Sequence, residues 1–545
     1  MKRSMVAVLF VLSFCNVLLA QQFSTEKSEP FDEPAFGWNK VLQLKNGNTF
    51  YFHATTKEGI EVAVYDKNRK RIVGRAVESN LWDKGKMRST AIKGVFEIGG
   101  EPVLFIAQAN ERKPTLYRMQ LDPATGAVTK EEEIGSQPEM PGFSGRYMLY
   151  NNVDMSDITI EKDAGSDCYA VMFLNSYPYD SSQKIKVVHY SGTHQPISTA
   201  FCNAFGHMGY LTAVVDGDKR VFLLTGRADG NQGADCYSDL VISRLNNRSS
   251  VFDQKSLLFT GQLKETKAQM LYDLGSNKLR LLALNLSVTN KESKEKTTSY
   301  YSTYVCNIDP ETLSLSDAHP LSVEKVNAYA KEYVDKQYEY VGIPQYMTIN
   351  KDNSTTVLSE EIRQVRYGYK GESGGQTNTT LGPIGISVLS DTGRELLGYM
   401  IRKKQMAEGQ FPKLYIAERK KGYYKSAQTL ISQPDNNAFL TFDYIDAPHG
   451  RYIIFNELPG NLDPAEVDKS KIVSSVSETS AICYRLDSGK LDYFHLFGDP
   501  DATNSNTFCY IQSSDFKKET NTYASLVVER NGRDKQARIV WLTFQ

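Results

Sequence analysis

The chemistry most visible in this chain is cationic. Between Arg402 and Lys425 the sequence gathers Arg402, Lys403, Lys404, Lys413, Arg419, Lys420, Lys421 and Lys425 against Glu408 and Glu418, with Tyr415, Tyr423 and Tyr424 interleaved. Closely spaced cations attract anions, and tyrosine rings add flat faces and cation–π contacts, so the mixture fits an anionic polymer such as an acidic glycan. A solvated β-hairpin with a charged tip is the plainer alternative. The candidate ligand-binding set is Arg402, Lys403, Lys404, Lys413, Tyr415, Arg419, Lys420, Lys421, Tyr423 and Tyr424.

Other chemistries have less to stand on. The seven histidines (53, 189, 194, 207, 319, 449 and 495) form no H-x-x-x-H or H-E-x-x-H pair, so neither a sequence-local metal site nor a cofactor is expected. The run from Asp499 to Asn506 offers hard oxygen ligands, which calcium prefers, but lacks the spacing and final Glu of an EF-hand loop. It reads equally as a polar turn. Gly371-Glu372-Ser373-Gly374-Gly375 lacks the Gly-Lys-Ser/Thr of a phosphate loop, and no G-x-S-x-G elbow presents a serine nucleophile. No catalytic residue is assigned from the sequence.

The elements that must carry these residues are strands. A hairpin recurs, clearest in Leu116 to Ile134 with its turn at Asp122-Pro123-Ala124-Thr125, and in Tyr304 to Leu321 with its turn at Asp309-Pro310-Glu311-Thr312. Variants turn at Asp66, Asn246, Asp391 and Asp487. Self-similarity at roughly 50 residues in an all-strand sequence is the mark of radial β repeats, because one sheet cannot bury both of its faces alone. Period-2 alternation bounded by turn residues gives strand clusters near 40–77, 92–134, 157–201, 207–259, 269–321, 345–403, 439–497 and 507–544. The fold class expected is all-β, a β-propeller of eight blades, with seven as the alternative, and one short helix as decoration, where Val323, Val326, Ala330 and Tyr333 follow Ser322 as N-cap. Packed sandwiches are the rival, but their strands come in Greek-key order. The last cluster holds three evident strands, and residues 23–36 could complete it, although Pro30 and Pro34 make a poor strand. Segment 405–434 reads as an insertion between complete blades, whose removal should leave the core folded.

Composition narrows the function classes. With 63 basic and 64 acidic side chains, the chain has no field of one sign, which argues against a nucleic-acid partner. Residues 1–20 read as a signal peptide, with Lys2 and Arg3 before the apolar run from Met5 to Leu12 and with Ala20 at the cleavage site; residues 21–36 follow as an N-terminal segment. No later stretch reaches transmembrane length, so the mature chain is expected in a periplasm or outside the cell. There, Cys168, Cys202, Cys236, Cys306, Cys483 and Cys509 could pair, or serve as small core residues.

A short signal ending Ala20-Gln21-Gln22 ahead of Tyr-rich repeats resembles generic secreted β-propeller-like proteins of the Bacteroidota type. The resemblance implies export and carries no activity with it. The signatures of WD40, kelch and sialidase repeats are missing. Three functions follow: a non-enzymatic binding or scaffolding protein of the cell envelope with a protein or glycan partner, an enzyme acting on glycans with carboxylates from different blades, or a structural subunit of an envelope assembly.

Overall fold

The computed structural model describes residues 23–544 apart from 36, 111–112, 139–157, 176–183, 204–206, 229–235, 260–262, 292–295, 368–375, 410, 412–413, 421–423, 426–436, 438, 463–470, 487–488, 490, 501–504 and 533. Residues 1–20, expected to be a signal peptide, thus lie outside the described part. The fold is all-β, and among the described residues strands pair in successive antiparallel quartets, the fifth and sixth of which are joined into one nine-stranded sheet where Lys296 and Thr297 pair with Val365 and Gln364. The first comprises Trp38–Gln43, Thr49–Thr55, Gly59–Tyr65 and Arg71–Ala76, and quartets within 90–136, 158–202, 207–257 and 267–320 follow. The sixth comprises Ile343–Ile349, Thr355–Tyr367, Gln376–Leu389 and Glu395–Ile401, and the seventh comprises Asp443–Ala447, Gly450–Glu457, Ser480–Arg485 and Asp492–His495. The eighth combines Asn506–Cys509, Thr522–Asn531 and Asp534–Phe544 with Phe23–Lys27, which pairs antiparallel along the last strand, Phe23 opposite Phe544. Both prolines that weaken 23–36 as a strand fall after Lys27.

Turn chemistry explains why the hairpins recur. Asp122 Oδ1 accepts from the Ala124 and Thr125 amides at 3.0 and 2.7 Å and from the Thr125 hydroxyl at 2.9 Å. Asp309 repeats the pattern on Glu311 and Thr312 at 2.9, 2.7 and 3.0 Å. A short carboxylate that satisfies the backbone of its own turn fixes the chain reversal locally. Each turn then meets the preceding quartet: Asn48 donates to the Pro123 carbonyl at 2.9 Å, and Arg244 donates to the Pro310 carbonyl at 2.9 Å.

Packing runs from quartet to quartet. Phe50 and Phe52 share a core cluster with Ile92 and Leu104, Phe105 with Tyr169, Met172 with Val221, Phe222 with Leu281, and Leu284 with Met347 and Phe455. Ile454 then packs with Leu542, and Trp541 of the last quartet packs with Val41, Tyr51 and Tyr65 of the first. Trp541 Nε1 also donates to Thr49 Oγ1 at 3.0 Å. Trp38–Gln43 is buried along its length, whereas Arg71–Ala76 has no buried residue. Cys168, Cys202, Cys306, Cys483 and Cys509 are buried free thiols, packed as small apolar groups.

The expected helix forms at Glu324–Tyr333 and buries Val326 and Ala330, while Tyr333 stays exposed. Its start differs from the sequence expectation. Ser322 is not the N-cap; the Lys325 amide donates to Glu395 Oε2 at 2.8 Å, so a carboxylate from the neighbouring strand satisfies the open first turn. The helix lies so close to Glu395–Ile401 that a Cβ on Gly398 would come within 2.3 Å of the Val326 backbone nitrogen. A second short helix, Tyr415–Lys420, falls inside the segment expected to be an insertion. Gly398→Val should push the first helix off the sheet and cost about 2 kcal/mol. Chemical unfolding measures that cost, and near-UV dichroism should register the displaced Tyr329, whose ring centroid lies 5.7 Å from that of Tyr399.

Candidate binding cleft

The segment 402–425 is split by the fold into two places. Gln405–Glu408 pairs as a strand with Gln376–Leu389, and Phe411, Leu414, Tyr415 and Ile416 are buried in the cluster that joins the fifth to seventh quartets. Much of the described part of 405–434 is therefore buried. Its apolar residues alternate with charges whose partners lie far away in sequence, so it reads locally as solvated.

The helix Tyr415–Lys420 touches the first strands of several quartets. The Tyr415 amide donates to Gln345 Oε1 at 3.3 Å, and Lys420 lies over the Tyr346 ring at 5.4 Å. Arg419 is buried and ion-pairs with Asp443, to which Ser514 and Tyr523 also donate hydrogen bonds, the latter at 3.0 Å; its Nη1 donates to the Ile511 carbonyl at 3.1 Å. Burial opposes the Asp443 charge, but Arg419, Lys420 and these donors outweigh it and hold the carboxyl down at about 2. Lys40, which donates to the Ser514 carbonyl at 2.6 Å, is brought down to about 8 by burial, with Arg419 and Lys420 pushing the same way. Tyr424–Lys425 pairs through its backbone with Ala91 and Ile92 of the second quartet. Lys413, Lys421 and Tyr423 lie outside the described residues.

Arg402, Lys403 and Lys404 occupy a different place, a cleft of about 400 Å³. One wall is the end of the first helix, with Val334, Asp335 and Tyr338. The sixth quartet contributes Glu361, Arg363, Gly382, Pro383 and Met400, and the seventh adds Glu457 and Asn461. Arg402 binds the helix end, donating to the Val334 carbonyl at 2.6 Å, whereas Arg363 and Lys404 are exposed. Lys403 runs inward to a fully buried ion pair with Glu360 and donates to Gln405 Oε1 at 3.1 Å. Burial raises the pKa of Glu360 and lowers that of Lys403, and in each case the partner's charge opposes the shift.

Two cleft acids are invisible to motif reading. Glu361 follows Glu360 where the strand register shifts, and such a bulge turns consecutive side chains to different sides. Its Oε1 accepts from the Tyr338 hydroxyl at 2.7 Å, and burial raises its pKa. Glu457 ends the buried run Tyr452 to Glu457, just before Pro459-Gly460. Its Oε1 accepts from the Leu458 amide at 2.8 Å and from Asn461 Nδ2 at 2.7 Å, and burial pushes it up to about 7. The available sequence signal was a charged residue closing an apolar strand ahead of a Pro-Gly turn.

No family model matches this chain, and no curated protein does. Among solved structures it is similar to the polysaccharide lyase Uly1, at 10% identity over 83% of this chain and 89% of that one with a TM-score of 0.38. It is similar to prolyl oligopeptidase B from Galerina marginata at 9% over 94% and 56%, with a TM-score of 0.39, and to the Aleuria aurantia lectin AAL at 10% over 67% and 94%, with a TM-score of 0.29. At these values the likenesses assign neither activity nor ligand. Among the described residues no helix is long and apolar enough to cross a membrane.

Arg419→Ala would leave Asp443 buried without its main counter-ion and should cost about 3 kcal/mol in denaturant unfolding. Glu457 gives a pH test. Its folded pKa of about 7 exceeds the ordinary value of 4.5, so the folded state binds the proton more tightly and stability falls as pH rises between those values. The loss is on the order of 3 kcal/mol at most, complete above pH 7, and Glu457→Gln should flatten that part of the stability profile.

Proposed function

We propose that the chain is an exported propeller of eight blades, each quartet being one blade, that binds a glycan in the cleft between its sixth and seventh blades. The terminal strand that completes the last quartet, and the core cluster joining that quartet to the first, support circular closure. In such a ring the first strands face the axis, and the helix Tyr415–Lys420 fills the space between several of them. The axis is then occupied by the chain itself, and among the described residues the cleft is a recess with room for a ligand.

One observation carries the glycan reading. Exposed Arg363 and Lys404 stand at a recess whose floor offers Tyr338, Glu361, Glu457 and Asn461 for hydrogen bonds to hydroxyls, beside the apolar surfaces of Pro383 and Met400. Cations at the mouth suit carboxylate or sulfate substituents, and a polar floor with apolar faces suits sugar rings. Of the sequence-derived set, Arg402, Lys403 and Lys404 belong to this proposal, and Tyr415, Arg419 and Lys420 to its support.

The double variant Arg363→Glu, Lys404→Glu should weaken binding of heparin or polygalacturonate at least tenfold by calorimetry, with the melting temperature unchanged, because both side chains are exposed. Equal binding by the variant and the wild type would remove the cleft from the binding function. The enzymatic alternative gains support from Glu361 and Glu457.

A further inference from the structure

We propose that the cleft hydrolyses the glycan it binds, with Glu457 as proton donor and Glu361 as proton acceptor. This rests on the glycan reading of the same cleft. The two carboxyls enter it from different quartets, which is how a substrate lying across the cleft would meet both. Neither is ion-paired among the described residues, although Arg363, Arg402 and Lys404 line the same recess. The structural acids behave otherwise. Asp443 is engaged by Arg419, Lys420, Ser514 and Tyr523, and Asp273 by Arg280 and Ser276.

Each cleft acid is oriented by hydrogen bonds. Glu457 Oε1 takes both of its hydrogen bonds, from Leu458 and Asn461, while the Glu361 carboxyl is held by the Tyr338 hydroxyl at Oε1 and by the Val341 amide. Carboxyls fixed in orientation by hydrogen bonds at the wall of a recess are the arrangement proton transfer needs. Burial keeps the acid form of Glu457 populated in neutral solution, despite the nearby Lys403 ammonium. In the step, the Glu457 proton passes to the glycosidic oxygen as its bond to the anomeric carbon breaks. A water molecule adds to that carbon and gives a proton to Glu361. One water is consumed, two shorter saccharides are released, and solvent returns the proton to Glu457 and removes it from Glu361.

The test uses the full chain and its Glu457→Gln and Glu361→Gln variants with polygalacturonate, hyaluronan, heparin and xylan, reading binding by calorimetry and chain cleavage by new reducing ends. The wild type should cleave a polymer it binds, with a rate that falls above about pH 7. Each variant should lose about a hundredfold or more in rate, a far larger factor than any accompanying loss of binding. Binding without new reducing ends, unsaturated product ends, or an undiminished rate in Glu457→Gln would overturn hydrolysis by this pair and leave the binding reading standing. No binding to any of the four polymers would overturn both.

Discussion

A four-stranded sheet with apolar side chains on both faces has to be covered twice, and in this chain the covers are the sheets before and after it. That constraint organises the rest of the structure. Phe105 packs towards the third quartet while Leu104, its neighbour in the chain, packs towards the first, so one strand serves two interfaces through its two-residue period. Taken to the end of the chain, it requires the last sheet to meet the first, which Trp541 does against Tyr65 and Thr49. Phe23–Lys27 then covers the edge that the last sheet would otherwise present to solvent.

Electrostatics divides the buried charges into two kinds. Arg419 with Asp443, and Lys403 with Glu360, are buried, and the cost of burying each charge is opposed by its close partner. Removing one member of such a pair is expensive, so these residues tie segment 402–420 into the core. Glu361 and Glu457 are held by hydrogen bonds, and burial raises their pKa values against the weaker pull of Arg363 and Lys403. The first kind stabilises the fold, while the second leaves proton-exchanging groups at a recess.

What could be read from sequence followed the range of the interactions. The turns at Asp122 and Asp309 were legible because the carboxylate, its amide partners and the Thr hydroxyl lie within three residues. The helix at 324–333 was legible from its spacing, but its cap was not, because Glu395 arrives from a strand 70 residues away. The burial of Tyr415 and Arg419 within the basic segment was not legible for the same reason: Arg419 finds Asp443 across 24 residues, and Ile511 across 92. Of the cleft, only Arg402, Lys403 and Lys404 stood out. Glu361 and Glu457 carry no local spacing signal, since only the pairing of successive sheets brings them together.

Closure by the terminal strand is most directly tested by native-state hydrogen exchange of the amides in Phe23–Lys27 and Asp534–Phe544. If the first strand completes the last sheet, amides that bond across this pair should exchange together, at the slow rate of global unfolding. Rapid exchange of Phe23–Lys27 beside a protected Asp534–Phe544 would contradict closure and reopen the ring.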